Sequence, residues 1–202
     1  MKLYYFPGAC SFAPHLVARE AGISLDLEKV DLGSRRTASG EDYATVNPKG
    51  YVPALRLDVG SVLTEVSALI QYLADLAPAS GLIPAAGTME RYRVLEWIGY
   101  IATEIHKGFG PLWNAKLAPE ARAAAVAALA RRLDLVEQAL SRQPFLAGQS
   151  FGVADAYLFT VASWAPWVKL DMAPWPKLRD FVARIGARPK VQEAQAAEGL
   201  SE

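Results

Sequence analysis

The stretch Lys2-Leu3-Tyr4-Tyr5-Phe6, then Pro7-Gly8, Ala9-Cys10-Ser11 and Phe12-Ala13-Pro14-His15-Leu16, decides how the rest of the chain is read. Residues 2–6 are apolar and aromatic, as a short strand requires, and Pro7-Gly8 breaks it. Pro14, whose fixed φ suits a first helical turn, belongs to a helix over 13–21 that stops at Gly22. Cys10, the single cysteine of the chain, therefore stands where a strand gives way to a helix N-terminus. Backbone N–H groups and the positive end of a helix dipole favour a thiolate there. Most free cysteines are small buried hydrophobes, so position alone leaves the reactive and the inert readings of Cys10 balanced.

Working outward, Leu25-Asp-Leu-Glu-Lys-Val30 alternates apolar and polar residues, as a half-buried strand does. Residues 41–46 read as a short helix ended by Asn47-Pro48. Ala54–Leu57, the turn Asp58-Val59-Gly60 and Ser61–Leu63 read as a hairpin. Thr64 suits an N-cap, and Val66, Leu69, Ile70, Leu73 and Leu76 share one helical face. The order βαβαββα predicts a mixed sheet with helices on both faces. Pro78–Gly87 is rich in breakers, which divides the chain into a first domain at 1–79, a linker at 80–87 and a second domain at 88–202. The second domain reads as all helical. It has a long helix over 88–115, a helix opened by Pro119 with Leu129, Leu133, Val136 and Leu140 in one stripe, an apolar helix over 153–168, and a helix over 176–186. The fold class is α/β plus all-α.

Composition narrows the function. With 52% apolar and 21% charged residues the 202-residue chain fills a core rather than staying disordered. Twenty-one basic residues balance twenty-one acidic ones, which argues against nucleic acid as a partner. One cysteine makes neither an internal disulfide nor a thiolate zinc site. The longest aliphatic block, Ala123–Ala130, is too short to cross a bilayer, and the interrupted run after Lys2 is a poor signal segment. A cytoplasmic protein without a metal or a membrane partner is expected.

The whole pattern resembles the cytosolic glutathione transferases, most closely their bacterial beta class. The resemblance is carried by Met1-Lys-Leu-Tyr-Tyr5, Pro7-Gly8, Cys10-Ser11, Asn47-Pro-Lys-Gly50, Val52-Pro53, Leu63-Thr-Glu65 and Gln71-Tyr-Leu-Ala-Asp75. It continues through Glu104-Ile-His106-Lys107-Gly108, Ala154-Asp-Ala-Tyr-Leu-Phe159 and Arg188-Pro189. Each stretch is short, and it is their order and spacing together that are specific. The resemblance implies a thioredoxin-like first domain that binds glutathione as co-substrate, a helical second domain that shapes an electrophile pocket, and a homodimer. It assigns Ala9, Cys10, Arg35, Val52, Pro53, Glu65, Val66, Thr103, Glu104, His106 and Lys107 to glutathione. Val52 pairs with the glutathione backbone like an added strand, and Pro53 is a cis proline that leaves its N–H and C=O free. Glu65 holds the γ-glutamyl ammonium, or only complements a helix dipole for roughly 0.3–1 kcal/mol. Val66 offers its N–H without a side-chain hydroxyl. Arg35 meets the glycine carboxylate, or is a plain loop charge.

Cys10, Ser11 and His106 are the residues expected at the sulfur, where His106 stabilises a thiolate or shuttles a proton near neutral pH. Phe109, Trp113 and Trp164 line the electrophile pocket, or are core. His15 reads as a hydrogen-bonded structural residue. Two departures from the family stand out. Gly99 stands where an Asn is frequent, and Gly152 stands three residues before Asp155 where Ser or Thr is usual, which leaves the capping of that helix to Asp155. The implied activity is attack of the glutathione thiolate on hydrophobic electrophiles. Peroxidase or thiol–disulfide exchange through a mixed disulfide at Cys10 is a second chemistry. A non-catalytic ligand-binding or transcription-associated scaffold is the alternative.

Overall fold

The computed structural model describes residues 1–200. Five strands form one mixed sheet in the order β3-β2-β1-β4-β5. Strand β1 (Lys2–Tyr5) runs parallel to β2 (Asp26–Asp31), with Leu3 opposite Leu27, because helix α1 (Phe12–Glu20) carries the chain back between them. Strand β4 (Ala54–Arg56) lies antiparallel on the other side of β1, and β5 (Val62–Thr64) returns along β4 through a turn with Gly60 at φ +88°. The two-residue edge strand β3 (Arg36–Thr37) pairs with β2. It is missing from the βαβαββα order because two residues carry no alternation to read. The arrangement is thioredoxin-like, as expected.

Alternation along β1 sends Leu3 to one face and Tyr4 to the other. Tyr4, Val30, Val52 and Ala54 form a core with Tyr43 and Val46 of helix α2 (Tyr43–Val46). On the opposite face α1 packs beside helix α3 (Val66–Asp75), and Leu16, Leu69, Ile70 and Leu73 are fully buried. Each such side chain contributes roughly 1.5–3 kcal/mol over leaving it exposed. Thr64 is not the cap of α3. The ladder pairs it with Ala54, which keeps it in β5, and Glu65 takes the cap position at φ +73° without a side-chain bond to the helix.

The described residues divide into two compact units, one of Met1–Ile83 with residues 187–200, the other of Pro84–Gly186. By packing, then, the C-terminal residues go with the first unit rather than with 88–186. Helix α9 (Pro189–Glu198), which the sequence reading did not resolve as an element, lies against α1. Arg188 beside it grips Glu20 through two bonds of 2.7 and 2.8 Å.

In the second unit the expected long helix breaks into four pieces. Helix α4 (Met89–Tyr100) passes into a π-helical turn at Ile101–His106, then α5 (Lys107–Phe109) and a 3₁₀ turn at Gly110–Trp113. Pro111 has no N–H for the carbonyl four residues back, and the Thr103 hydroxyl donates to the Gly99 carbonyl at 3.1 Å. Helix α6 (Pro119–Arg142) buries the stripe Leu129, Leu133, Val136 and Leu140. Helix α7 (Val153–Ala162) is buried at all ten positions, and it ends before 168 because Pro166 cannot donate to the Ala162 carbonyl. Helix α8 (Pro176–Gly186) starts on Glu137 of α6, whose carboxylate accepts the Lys177 and Leu178 N–H groups at 2.9 Å each. Among the described residues no helix is long and apolar enough to cross a membrane.

Candidate active site

The turn after β1 is built around Ser11. Its buried hydroxyl accepts the Phe6 N–H at 3.2 Å and donates to the Phe6 carbonyl at 3.2 Å. Ser11 is expected at the sulfur, but with its hydroxyl spent on both sides of Phe6 it acts as a clamp for the turn. Ala9 closes the same turn with its N–H on the Phe6 carbonyl at 3.0 Å, and packs on the Tyr4–Tyr43 core. Gly8 takes φ +69° and donates its N–H to Glu198 of α9 at 3.0 Å. Cys10 follows, half-buried, its thiol donating to the Val52 carbonyl at 3.3 Å. That bond exists only while the sulfur carries its proton. It also occupies the carbonyl that the Val52–Pro53 reading left free. The Val52–Pro53 peptide is cis, and Val52 lies just ahead of the β1–β4 ladder, which begins at Ala54.

The approach to Val52 is set by Asn47, which is buried. Its backbone N–H donates to the Tyr43 carbonyl, its side-chain amide donates to the Tyr51 carbonyl at 2.6 Å, and its Oδ1 accepts the Lys49 N–H. The Tyr43 hydroxyl donates to the same Tyr51 carbonyl at 3.1 Å, and burial pushes its pKa up to about 12, so it remains a donor. Lys49 and Tyr51 then point at Glu65. The lysine Nζ reaches it at 2.5 Å and the tyrosine hydroxyl at 2.9 Å, and these bonds raise the pKa of both groups. Continuing the Ala54–Thr64 register sets Glu65 beside Pro53. Val66 opens α3, where the first amides have no intrahelical acceptor and favour an anion. Arg35 is exposed at φ +57°, and its carbonyl holds the Tyr43 N–H. The first unit therefore gathers Ala9, Cys10, Val52, Pro53, Glu65 and Val66.

In the second unit His106 and its neighbours Thr103, Glu104 and Lys107 part company. His106 Nδ1 lies 2.7 Å from the Tyr157 hydroxyl, and its ring meets Trp164 edge-on at 5.0 Å. Burial, then the nearby Lys107 charge, pushes its pKa down to about 4. The imidazole is thus neutral at physiological pH, and a proton shuttle near neutrality is corrected to a neutral hydrogen-bonding group. Thr103, Glu104 and Lys107 line a groove of about 280 Å³ with Leu129 and Arg132, and Glu104 is paired to the Arg132 Nε at 2.9 Å.

Trp164 touches Phe109 and Trp113 edge-on, both at 5.7 Å, and Trp113 continues to Trp167 at 6.3 Å. Phe109 at 0% and Trp164 at 5% exposure are core rather than pocket wall, because nothing can reach a fully packed ring. Trp113 is half-exposed and lines a cavity of about 400 Å³ with Leu112, Arg122, Trp167 and Val168. Asp155, also buried, accepts the Leu146 N–H at 2.8 Å and the Gly152 N–H at 2.9 Å, and Gly152 has no side chain to return the bond.

Sequence reasoning passed over Lys49 and Tyr51 as partners of Glu65, over Tyr157 as the partner of His106, and over Trp167. The turn Asn47-Pro48-Lys49-Gly50 was the available signal for the first two, since a tight turn there must face the start of α3. His15 Nδ1 also lies 2.8 Å from Glu198 Oε1, a buried pairing that had no sequence signal at all.

Comparisons with known proteins agree with this layout. The family models "Glutathione S-transferase, N-terminal domain" and "Glutathione S-transferase, C-terminal domain" match residues 8–76 and 100–189. Glutathione S-transferase GstA of Escherichia coli O157:H7 is 47% identical over 200 residues, spanning 99% of this chain and 100% of its own. A sphingomonad glutathione S-transferase complexed with glutathione is 45% identical with a TM-score of 0.95, over 100% of both chains. The beta class glutathione S-transferase of Sphingomonas chungbukensis is 44% identical with a TM-score of 0.95, again over 100% of both. The chain belongs to the glutathione S-transferase family, in its bacterial beta class, and is a glutathione-conjugating enzyme.

Proposed function

We propose that glutathione lies along Val52, with its γ-glutamyl ammonium on Glu65, its glutamyl carboxylate on the Val66 N–H, its glycine carboxylate toward Arg35, and its sulfur beside Cys10. The reading rests above all on the Cys10 thiol, which lies 3.3 Å from the Val52 carbonyl at the cis Val52–Pro53 bond. A peptide thiol paired with Val52 as an added strand arrives at that sulfur. Glu65 is already a cation site, since Lys49 and Tyr51 both donate to it. Substrate binding shares or displaces those donors.

The glutathione thiolate forms the new C–S bond to an electrophilic carbon, and the leaving group departs with its electron pair. Neutral His106 is the proposed hydrogen-bond donor to the developing thiolate, which needs no change of its own protonation. Hydrophobic electrophiles, and Trp113 and Trp167 as their wall, are part of the same proposal, as are a homodimer and a second, monothiol exchange chemistry at Cys10. Sedimentation at twice the 21.9 kDa chain mass is expected for the dimer.

The test is Cys10→Ala. Conjugation of 1-chloro-2,4-dinitrobenzene is expected to survive, while glutathione-dependent disulfide reduction vanishes. Loss of both activities in a folded variant overturns the view that glutathione's own thiol is the nucleophile. Failure of the wild type to be retained on immobilised glutathione counts against catalysis and for a scaffold.

A further inference from the structure

His106 closes the π-helical turn at Ile101–His106, and α7 packs against that turn. The two nitrogens of its ring face different surroundings. Nδ1 lies 2.7 Å from the hydroxyl of Tyr157, a residue of α7 that is only 2% exposed. Nε2 takes no hydrogen bond among the described residues, and none of their buried polar side-chain atoms lacks a partner, so Nε2 is the open edge of the ring. Trp164 stands edge-on to the imidazole at 5.0 Å and walls it in. The neutral ring carries one proton, and its choice of nitrogen decides whether the open edge donates or accepts. The separation at Nδ1 bears on that choice. An N–H donor usually stands about 2.9–3.0 Å from an oxygen and a hydroxyl donor about 2.7–2.8 Å, so 2.7 Å fits Tyr157 as the donor. A phenol oxygen shares its lone pair with its ring and accepts poorly, whereas the bare nitrogen of a neutral imidazole accepts well.

We propose that Tyr157 is a positioning residue whose hydroxyl donates to His106 Nδ1 and so fixes the ring proton on Nε2, the edge that serves the sulfur. This rests on the reading that His106 donates to the glutathione thiolate. In the opposite tautomer Nε2 presents a lone pair to a thiolate, and two electron-rich atoms oppose each other. Tyr157 therefore acts without touching the sulfur. It sets the donor in place before charge develops, which is where a hydrogen bond is worth most to the reaction. In Tyr157→Phe, Nδ1 faces an apolar ring edge, and neither tautomer is then held by a partner.

The first experiment reads the proton directly. Nitrogen-15 NMR separates a protonated ring nitrogen from a bare one, and the chain has only two histidines to assign, each through bonds to its own backbone. In wild type His106 is expected to show a bare Nδ1 and a protonated Nε2. A proton on Nδ1 overturns the proposal. The measurement needs no variant, so it decides even where Tyr157→Phe does not fold. In a folded Tyr157→Phe the two shifts are expected to move toward each other as the preference relaxes.

The second experiment reads the consequence in the conjugation of 1-chloro-2,4-dinitrobenzene, well below the melting temperatures. Thr160→Val is the control, because it removes another buried hydroxyl of α7, one that donates to the Ala156 carbonyl at 2.8 Å. Tyr157→Phe is expected to lower kcat at least about threefold with KM for glutathione within about twofold, and Thr160→Val to leave both within about twofold. A smaller loss in Tyr157→Phe, or an equal one in Thr160→Val, overturns the proposal. His106→Ala tests the reading beneath it. Conjugation by His106→Ala at the wild-type rate defeats His106 as the donor, whereas a slow His106→Ala beside an unimpaired Tyr157→Phe defeats only the role of Tyr157. If Tyr157 acts through His106, the double variant is no slower than His106→Ala, and losses that multiply make Tyr157 merely structural.

Discussion

Replacing Asp155 is expected to remove a large part of the stability of the helical unit. The carboxylate accepts a buried N–H from Leu146 at 2.8 Å and a part-buried one from Gly152 at 2.9 Å, at the start of a helix with no exposed residue. In Asp155→Ala the buried Leu146 donor is stranded and the part-buried Gly152 donor loses its partner, at about 1–3 kcal/mol each with the second toward the low end, so roughly 3–4 kcal/mol in all. Against a typical total of about 5–15 kcal/mol that is a large fraction. Asp155→Asn keeps one acceptor and turns an NH₂ toward the other donor, which halves the loss to roughly 2 kcal/mol.

The pH dependence carries its own sign. Burial pushes the Asp155 pKa up to about 7 from an ordinary 3.8, against the pull of the two N–H groups and Arg184. The folded protein thus binds the proton more tightly than the unfolded chain, and the Asp155 contribution declines as pH rises from about 4 to 7. Asp155→Asn does not titrate, so its gap from wild type narrows between pH 5 and pH 8. Urea unfolding followed by circular dichroism at both pH values measures midpoint and slope. An Asp155→Ala loss below about 1 kcal/mol, the size of an ordinary substitution, refutes the capping account, and so does a gap that widens with pH.

Three further outcomes are expected. His106 is neutral when folded, with its pKa lowered from 6.5 to about 4, so it favours folding above pH 6.5 and that contribution is lost as pH falls toward 4; His106→Gln should flatten the acid side of a stability titration, and an unchanged slope contradicts the burial argument. Glu65→Gln is expected to raise KM for glutathione about tenfold or more while the melting temperature barely moves, because half-exposed ion pairs such as Lys49–Glu65 are worth only about 0–1 kcal/mol; a large thermal loss with an unaltered KM makes Glu65 purely structural. Gly108→Ala sets a new methyl 3.0 Å from Leu129 Cδ1, so crowding of about 1–3 kcal/mol outweighs the helix-propensity gain of about 1 kcal/mol, and Leu129→Val, which lacks that atom, should rescue it in a double-mutant cycle; simple additivity denies the clash.

Much of the fold was legible because burial leaves a local period. The alternation of Leu25–Val30 placed β2, and the stripe Leu129, Leu133, Val136 and Leu140 placed the buried side of α6. The errors fall where a single residue or a remote partner decides. Pro111 and Pro166 shorten helices that apolar content extends, the Ala54–Thr64 pairing takes Thr64 from its cap position, and β3 is too short to show a pattern. In the candidate site, the place of Cys10 at a strand–helix junction was legible from the chain itself, whereas Val52, Pro53 and Glu65 entered through the family resemblance.

By itself, then, the sequence determined a helix-flanked sheet followed by an all-helical part, the junction that exposes one thiol, and the family to which that junction belongs. Those features depend on contacts between near neighbours and on which face of each element is apolar. Only the tertiary structure decided the chemical state and aim of the site. It turns the Ser11 hydroxyl onto Phe6, buries His106 against Tyr157 until it is neutral, and directs Lys49 and Tyr51 onto Glu65. It also brings Glu198 to the Gly8 amide. Desolvation and hydrogen-bond direction depend on what packs around a group from afar, and no local pattern records that.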